Sequence, residues 1–563
     1  MNFIKNFFSI LLIIPFAFIS CDDGLSEVNE NPNGLPPGEV HPNLLISTVM
    51  TGIATSTTSR GFAGDTGVGA QYTQKDSWSA NRYDWSTGSI WSTNYNLLKT
   101  NKLANDRAVE LGLKFHEGVT LVLKSMLFGA LTDFYGDIPY SEATLGNLED
   151  GTSRPIYDTQ QVVYMGIIAD LERASTLLSG TVFADIVPSQ DVFYNGDPEK
   201  WERFTNSLLL RYYMRLSEKD PSTAQTGVVA TLAKPLIVSS DDDCILAYVG
   251  GVPTQSWPNS GQFGSASDFF RVKPCSTLTD KLMELGDPRM DMWIEPVEIP
   301  TLVVDPADMP AGGGDIIVFE GTRYVSNVTI GVDYAIYSAS TYAADLAAGL
   351  EIIGTGTYVG LPVAVSAVDP YEYNFLDKKG DAARGGKNPY ISKMNALFNQ
   401  KDDGGEFLNA RVMSASEVHF LMSEAAQRGW NTNAQAHFNM GIQASFDTWG
   451  LGDASSYIAA LPTFDDSNLA QIMEQKWIAN MFNGDQAYLD WRRTGLPAFV
   501  AGPFAREDVM PLRFIYPSDE ININGANYAI GASTLESTSY STTDPNDSPY
   551  ERPWIVQGVT KPW

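Results

Sequence analysis

The sequence predicts a mainly α-helical fold with a loop-rich face and a few short strands. Two segments, residues 155–179 and 197–218, carry apolar side chains at the three- and four-residue steps of an amphipathic helix. A third segment, residues 116–134, is apolar on nearly every side, as an interior helix requires. Residues 240–400 are instead rich in Val, Ile, Thr and Gly, which indicates loops and short strands inserted between two helical blocks.

The chain begins with a segment typical of an exported protein. Residues Phe7 to Ile19 are apolar except for Ser9, and as a helix they would span only about 20 Å, less than a bilayer core. This run ends at Ser20-Cys21, which resembles the lipoprotein box of bacteria, where the cysteine is acylated and becomes the first residue. We therefore predict a lipoprotein signal peptide in residues 1–20 and a lipid anchor at Cys21. The alternative is a cysteine that happens to end an ordinary cleaved signal.

Residues 21–42 are polar, acidic and proline-bearing, with almost nothing to bury. Such a composition predicts a flexible tether behind the anchor. The globular body then occupies residues 43–563, with the loop and strand insertion at about 240–400. Length and hydrophobic content allow this body a large core.

Charge and composition exclude several classes of function. With 37 basic and 67 acidic residues the net charge is −30, so a nucleic-acid partner is disfavoured. The four histidines are scattered, and neither CxxC nor HExxH occurs, so we predict no metal site and no cofactor. The acidic run at 241–243 is interpreted as a solvated turn, with a weak calcium site as the alternative. The sequence leaves open whether Cys244 and Cys275 form a disulfide.

The helices are placed by their starts and their apolar faces. Asp158 or Thr159 is positioned to cap one helix, and Asp197 followed by Pro198 marks the start of the next. Further helices are predicted at Ser416–Arg428, Ala434–Trp449, Asn468–Phe482 and Gln486–Arg493.

The interior helix is followed by LTDFYGDIPYSEA, residues 131–143. Gly136 is suited to a left-handed cap and Pro139 forbids continuation of the helix. Asp133 and Asp137 are interpreted as turn-forming and hydrogen-bonding residues, with a metal or acid/base pair as the weaker alternative.

This stretch resembles the signature of the SusD/RagB-like outer-membrane lipoproteins of Bacteroidota, specifically their second large subfamily. Residues 91–106 resemble the family's first helix, and five further blocks resemble the family in the same order. These blocks are 155–174, 195–217, 416–430, 475–497 and 511–528. The resemblance covers nearly the whole mature chain outside residues 240–400.

The resemblance implies a single SusD-like domain in which tetratricopeptide-like helix pairs form a scaffold under a loop-rich face. It also implies a lipid-anchored protein on the surface of the outer membrane, partnered with a SusC-like TonB-dependent transporter. Members capture oligosaccharides, or in some branches peptides, and pass them to the transporter. Asp22 and Asp23, directly behind Cys21, resemble the surface-export signal of these bacteria.

Aromatic residues are concentrated between Gln71 and Tyr95, interleaved with Asn, Ser, Arg and Asp. Flat aromatic rings suit the apolar faces of sugars, and polar neighbours suit their hydroxyl groups. The predicted ligand-binding residues are Trp78, Arg82, Tyr83, Trp85 and, in a second polar loop, Trp257. The alternative is that these rings anchor the loops to the body.

The main competing function is a surface enzyme that cleaves glycans, because two carboxylates suffice for glycoside hydrolysis. A chain with 67 acidic residues supplies carboxylates by abundance alone, and it contains no GxSxG nucleophile elbow. We therefore predict a binding protein without catalytic residues.

Overall fold

The computed structural model describes most of the chain from residue 36 onward. The described residues are 36–75, 82–146, 151–258, 269–298, 301–304, 316–319, 322–325, 335–347, 357–364, 391–399, 407–502, 505–541, 547–559 and 561. The predicted signal peptide, Cys21 and Trp78 lie outside them.

The α-helices of the described residues form two blocks in the sequence, separated by shorter elements. They are α1 (Asn43–Ala63), α2 (Asp65–Gly69), α3 (Ile90–Glu110), α4 (Lys114–Tyr135), α5 (Gln160–Leu178), α6 (Pro198–Arg215), α7 (Pro221–Thr231), α8 (Ser276–Leu285), α9 (Arg289–Trp293), α10 (Ala339–Ala347), α11 (Ala415–Gln427), α12 (Ala434–Thr448), α13 (Ser455–Ala460), α14 (Leu469–Ala479), α15 (Gly484–Thr494), α16 (Ser518–Ile523) and α17 (Gly525–Ala532).

The strands are short and pair two by two. They are β1 (Thr73–Lys75), β2 (Ile138–Pro139), β3 (Tyr157–Asp158), β4 (Cys244–Ala247), β5 (Val272–Pro274), β6 (Ile294–Glu295), β7 (Thr301–Val304), β8 (Ile316–Phe319), β9 (Thr322–Val325), β10 (Ala335–Ser338), β11 (Lys393–Met394) and β12 (Asn409–Met413). The pairs β1–β5, β2–β3, β4–β12, β6–β11 and β8–β9 are antiparallel, and β7–β10 is parallel.

Consecutive helices pack against each other. Helix α3 contacts α1 and α4, and the sequence of contacts continues from α4 to α5, α6 and α7. In the second block α11 packs on α12 and α14, and its contact with α6 joins the two blocks. This arrangement confirms the predicted mainly α-helical fold with tetratricopeptide-like helix pairs, short strands and a loop-rich face.

The predicted helix starts are confirmed at two caps. The Thr159 side chain accepts a hydrogen bond from the Val162 amide at the start of α5, and Asp197 accepts from the amides of Glu199 and Lys200 at the start of α6. The apolar residues predicted to share one face of each helix are all buried. Helix α4 is buried along nearly its whole length, as its composition predicts.

Two details differ from expectation. Helix α1 precedes the helix at 91–106, which is therefore not the first helix of the body. The sequence did not predict α1 because the many Thr and Ser residues of α1, and Gly52, are poor helix formers. Gly136 does have a positive φ, 96°, but its ψ of −124° lies outside the left-handed helical region. The pairing that the sequence leaves open is also answered, since Cys244 and Cys275 are both buried free thiols.

The last part of the predicted tether lies against the body. Residues Pro37–Glu39 form a short 3-10 helix, Val40 is buried, and the Val40 carbonyl accepts a hydrogen bond from Arg107 Nε at 3.1 Å. The tether prediction therefore applies only to residues 21–35. Among the described helices, none combines the length and the hydrophobicity that crossing a bilayer requires.

Candidate ligand-binding site

Two of the predicted ligand-binding rings are in the protein core. Tyr83 is fully buried; its hydroxyl lies 3.1 Å from Gln71 Nε2, and burial raises its pKa far above the ordinary value. Trp85 is 2% exposed and packs against Tyr488 and Phe514, with ring centroids 4.9 and 4.8 Å away. The expectation of an exposed platform is therefore corrected for these two residues, since protein atoms already cover the rings.

Trp257 is also covered, at 1% exposure. Its indole ring sits in an aromatic cluster with centroid distances of 5.3 to 5.9 Å to Phe62, Tyr248, Phe398 and Phe482. The predicted role in ligand stacking is corrected for Trp257 as well. The role predicted for Trp78 stays a prediction.

Arg82 has the exposed position that ligand contact requires, and it lies beside a second arginine. The Arg506 amide donates a hydrogen bond to the Arg82 carbonyl at 2.8 Å, and the Arg506 guanidinium pairs with Asp84 at 2.9 Å. The same guanidinium lies 5.7 Å from the centre of the buried Tyr550 ring. A positively charged donor, the Arg506 guanidinium, and a negatively charged acceptor, the Asp84 carboxylate, thus lie on the surface next to the buried Tyr550 ring.

The ribbon of β1 and β5 brings two polar connections to the same end. Lys75, the last residue of β1, pairs with Val272, the first residue of β5. The end of β1, after which the chain continues to Trp78, therefore lies beside the start of β5, which the chain reaches after Trp257. The second connection closes with Phe270, which is half-buried against Phe269 and lies 5.7 Å from the Lys393 ammonium.

We use the name ligand face for the exposed Arg82, Asp84 and Arg506 together with the half-buried Phe270, which lies just before β5. Sequence reasoning found only Arg82 of the four named residues. The signal for Phe270 was the Phe-Phe pair that follows a polar loop. Arg506 gave no signal, because it meets Asp84 across 422 positions of the chain.

Lys273 lies in the middle of the same ribbon and is almost fully buried. Its pKa is lowered to about 7, chiefly by burial and also by the nearby Lys393, while Glu298 acts in the opposite direction. Because the amine is covered, Lys273 belongs to the support of the ligand face rather than to its exposed surface.

A separate cavity of about 50 Å³ lies between the helices, lined among others by Arg60, Asp133, Arg215 and Asp485. It has room for a few water molecules rather than for a sugar chain. Asp485 pairs with Arg60 at 2.6 Å and Asp133 with Arg215 at 3.1 Å. Both carboxylates therefore have arginine partners within the helical scaffold.

The other acidic candidates also have structural partners. Asp137 accepts a hydrogen bond from the Gln160 amide at 2.7 Å, and Asp243 accepts from the Ala415 amide at 2.7 Å at the start of α11. Asp242 lies 3.6 Å from Arg203. Among the described residues, no group of three or more His, Cys, Asp or Glu side chains is placed to hold a metal ion.

Residues 33–301 and 341–517 match the model of the SusD-like family that is described as starch-binding and associating with the outer membrane. The chain belongs to this SusD-like family. The matched residues include α1 to α9 and α11 to α15, and they include all four named residues of the ligand face.

Solved structures, among them SusD homologues, share the fold at low identity. A SusD homologue from Bacteroides fragilis is 20% identical with a TM-score of 0.65, over 92% of this chain and 99% of that chain. A chitin-binding protein is 24% identical with a TM-score of 0.67, over 92% and 99%. A chitin-binding SusD homologue from Flavobacterium johnsoniae is 20% identical with a TM-score of 0.65, over 91% and 98%. None of the curated protein sequences matches this chain.

Proposed function

We propose that this SusD-like chain is a lipid-anchored protein of the outer-membrane surface that binds a glycan and delivers it to a SusC-like TonB-dependent transporter. The observation that carries the proposal is membership of a family described as starch-binding and associating with the outer membrane. The exposed Arg82, Asp84 and Arg506 support it, because charged donors and acceptors are the groups that bind sugar hydroxyls.

The ligand class is tested by titration of the purified chain with starch, chitin and other oligosaccharides and with a set of peptides. We expect one glycan class to bind without any product forming, with chito-oligosaccharides among the first to try because two of the similar structures are chitin-binding proteins. Binding of peptides alone would favour a peptide-binding member of the family. Product formation that follows the protein through purification would favour the enzyme.

The anchor is tested by mass spectrometry of the mature amino terminus, where we expect an acylated Cys21. Cys21→Ala should release the chain from the outer-membrane fraction because the predicted anchor supplies the attachment. Cys244→Ala is the matched control, since that thiol is buried in the body and should leave the fractionation unchanged. Membrane attachment that survives Cys21→Ala would contradict the anchor.

A further inference from the structure

Two histidines, which we call the histidine pair, face each other between α11 and α12. His419 lies on α11 and His437 lies near the start of α12, 18 positions further along the chain. Their Nδ1 atoms are 3.4 Å apart, whereas the ring centroids are 5.6 Å apart and the ring planes are 27° from parallel. Because the nitrogens are much closer together than the centroids, each ring points its Nδ1 at the other ring.

The packing of α11 on α12 fixes the place of the histidine pair. Ser416 Oγ donates to the Gly441 carbonyl at 2.6 Å, and Ser423 Oγ donates to the Ala434 carbonyl at 2.8 Å. A Cβ atom at Gly441 would come within 2.9 Å of the Phe420 ring, so glycine at this position lets the two helices approach closely. The histidine pair lies between these two hydrogen bonds along both helices, and its backbone is therefore held by regular structure.

A backbone carbonyl sets the tautomer of His419. Its Nε2 lies 3.2 Å from the Val238 carbonyl, which can only accept, so Nε2 carries the hydrogen. A neutral imidazole has one N–H group, and Nδ1 of His419 therefore holds a lone pair that is directed at His437. Histidines that bind metals are oriented in the same way, because they donate their second ring nitrogen to a carbonyl or a carboxylate.

Met440 adds a sulfur atom next to the histidine pair. It follows His437 by three residues, a spacing that makes two side chains neighbours on a helix surface. Its side chain is 50% exposed, and together with His419 it lines a surface concavity of about 380 Å³. Two imidazoles and one thioether therefore lie together at a surface that ions can reach from solution.

The spacing of the two nitrogens is close to that of two ligands on one metal ion. Imidazole nitrogens bind metals at about 2.0 Å, which places two of them about 3.5 Å apart on an ion with trigonal geometry. The rings point straight at each other and have to tilt in order to converge on an ion. His437 has room for this movement because its ring is only half-buried.

The types of ligand favour monovalent copper. Thioether sulfur is a soft ligand that selects Cu⁺, and imidazole binds copper as well. Structural Zn²⁺ takes four ligands from Cys, His and acidic side chains, and Ca²⁺ takes six or more oxygen atoms. Within the part of the chain that the structure describes, no three such His, Cys, Asp or Glu side chains are grouped for that purpose. The net charge of −30 favours the approach of any cation.

We infer that His419, His437 and Met440 form a binding site for one Cu⁺ ion, with the two Nδ1 atoms and the thioether sulfur as its ligands. The ion takes the place of the hydrogen between the rings. That hydrogen moves to Nε2 of His437, so both imidazoles stay neutral and no proton is released. The site shares no residue with the ligand face, and the inference does not depend on the proposed function.

The test measures Cu⁺ binding to the full chain with Cys21→Ala, so that only the buried thiols of Cys244 and Cys275 remain. Oxygen is excluded, ascorbate is in excess, and the coloured chelator bathocuproine disulfonate competes for the ion. We expect one ion per chain. His437→Gln should weaken binding about a hundredfold, because a ligand to the ion is lost. Met440→Leu should weaken it about tenfold.

X-ray absorption at the copper edge supplies a second measurement on the same samples. The loaded chain should show two nitrogen neighbours at about 2.0 Å and one sulfur neighbour at about 2.3 Å. The sulfur neighbour should disappear in Met440→Leu. This readout depends on contact with the ion, so a merely structural role of Met440 would leave it unchanged.

Two control variants remove the same residue types elsewhere. His41→Gln removes a half-buried histidine that lies edge-on to His116, with ring centroids 5.5 Å apart. Met283→Leu removes a methionine on α8 that is 42% exposed, close to the 50% of Met440. Both controls should change the Cu⁺ affinity less than twofold.

Several results would overturn the site. Wild-type affinity in His437→Gln would do so, and so would an equal loss of affinity in either control variant. A sulfur neighbour that persists in Met440→Leu would assign the ion to a cysteine thiol instead. Tighter binding of Zn²⁺ than of Cu⁺ would overturn the choice of ion. If the melting temperature shows that His437→Gln is unfolded, Met440→Leu decides alone, since an exposed side chain is replaced there.

Discussion

Replacement of Arg493 by methionine is expected to lower the free energy of unfolding by about 3 kcal/mol. Arg493 is 4% exposed and donates to Glu424 with two nitrogens, at 2.5 and 2.8 Å. It also donates to Asp490 at 3.1 Å. Loss of the guanidinium leaves two buried carboxylates with fewer partners, and desolvated charge without compensation is costly. Guanidinium denaturation followed by circular dichroism measures the change.

Arg203→Met is the matched control for this variant. Arg203 lies 3.5 Å from the exposed Glu199 and 3.6 Å from Asp242, and ion pairs of a partly exposed arginine contribute between about 0 and 1 kcal/mol each. A comparable loss of stability in both variants would show that the effect comes from the missing arginine side chain in general and not from the buried network.

The pH dependence of the same comparison separates charge from packing. Burial alone would raise the pKa of Glu424, but Arg493 and Arg428 lower it, and Lys476 and Arg493 likewise lower the pKa of Asp490. Because the folded pKa values lie below the unfolded ones, this stability is present above about pH 4 and is lost as pH falls through the folded values. The gap between wild type and Arg493→Met should therefore be largest at pH 7 and narrow below about pH 4. A gap that does not change with pH would assign the loss to packing.

Local patterns predicted the helical scaffold well because helices are specified within a few residues. The caps at Thr159 and Asp197, and the apolar faces that follow them, need no information from distant parts of the chain. The same dependence on local patterns explains why helix α1 was not predicted. Its Thr and Ser residues and Gly52 have low helix propensity, and tertiary packing supplies the stabilisation that these residues do not.

The candidate site depends on long-range contacts, so the sequence predicted much less of it. Trp85 stands in a polar stretch that is typical of an exposed loop, yet Tyr488 and Phe514 cover it from more than 400 positions away. The pairing of Asp84 with Arg506 and that of Glu424 with Arg493 are equally invisible to any local pattern. The sequence does predict that polar residues lie near the ligand face, because Arg82 and its polar neighbours follow one another in the chain.

Replacement of Trp85 by alanine is expected to lower the free energy of unfolding by about 3–5 kcal/mol, because a large buried ring is deleted and a cavity remains. The neighbouring Arg82→Ala should change stability by less than about 0.5 kcal/mol, since Arg82 is exposed. The two residues are three positions apart, so the pair is matched for place in the chain. Denaturation and glycan titration on the same protein preparations supply both measurements.

The glycan affinities should show the reverse order. If Arg82 donates to sugar hydroxyls, its loss should weaken binding of the best glycan of the panel about tenfold, the equivalent of one charge-assisted hydrogen bond of roughly 1.4 kcal/mol. Trp85→Ala, measured where the variant is still folded, should bind within about threefold of wild type, because neither face of the indole is open to a ligand. Strong loss of affinity in Trp85→Ala with unchanged stability would mean that the ring leaves the core and meets the ligand, and would restore the stacking role predicted from the sequence. Unchanged affinity in Arg82→Ala would contradict a ligand contact at Arg82.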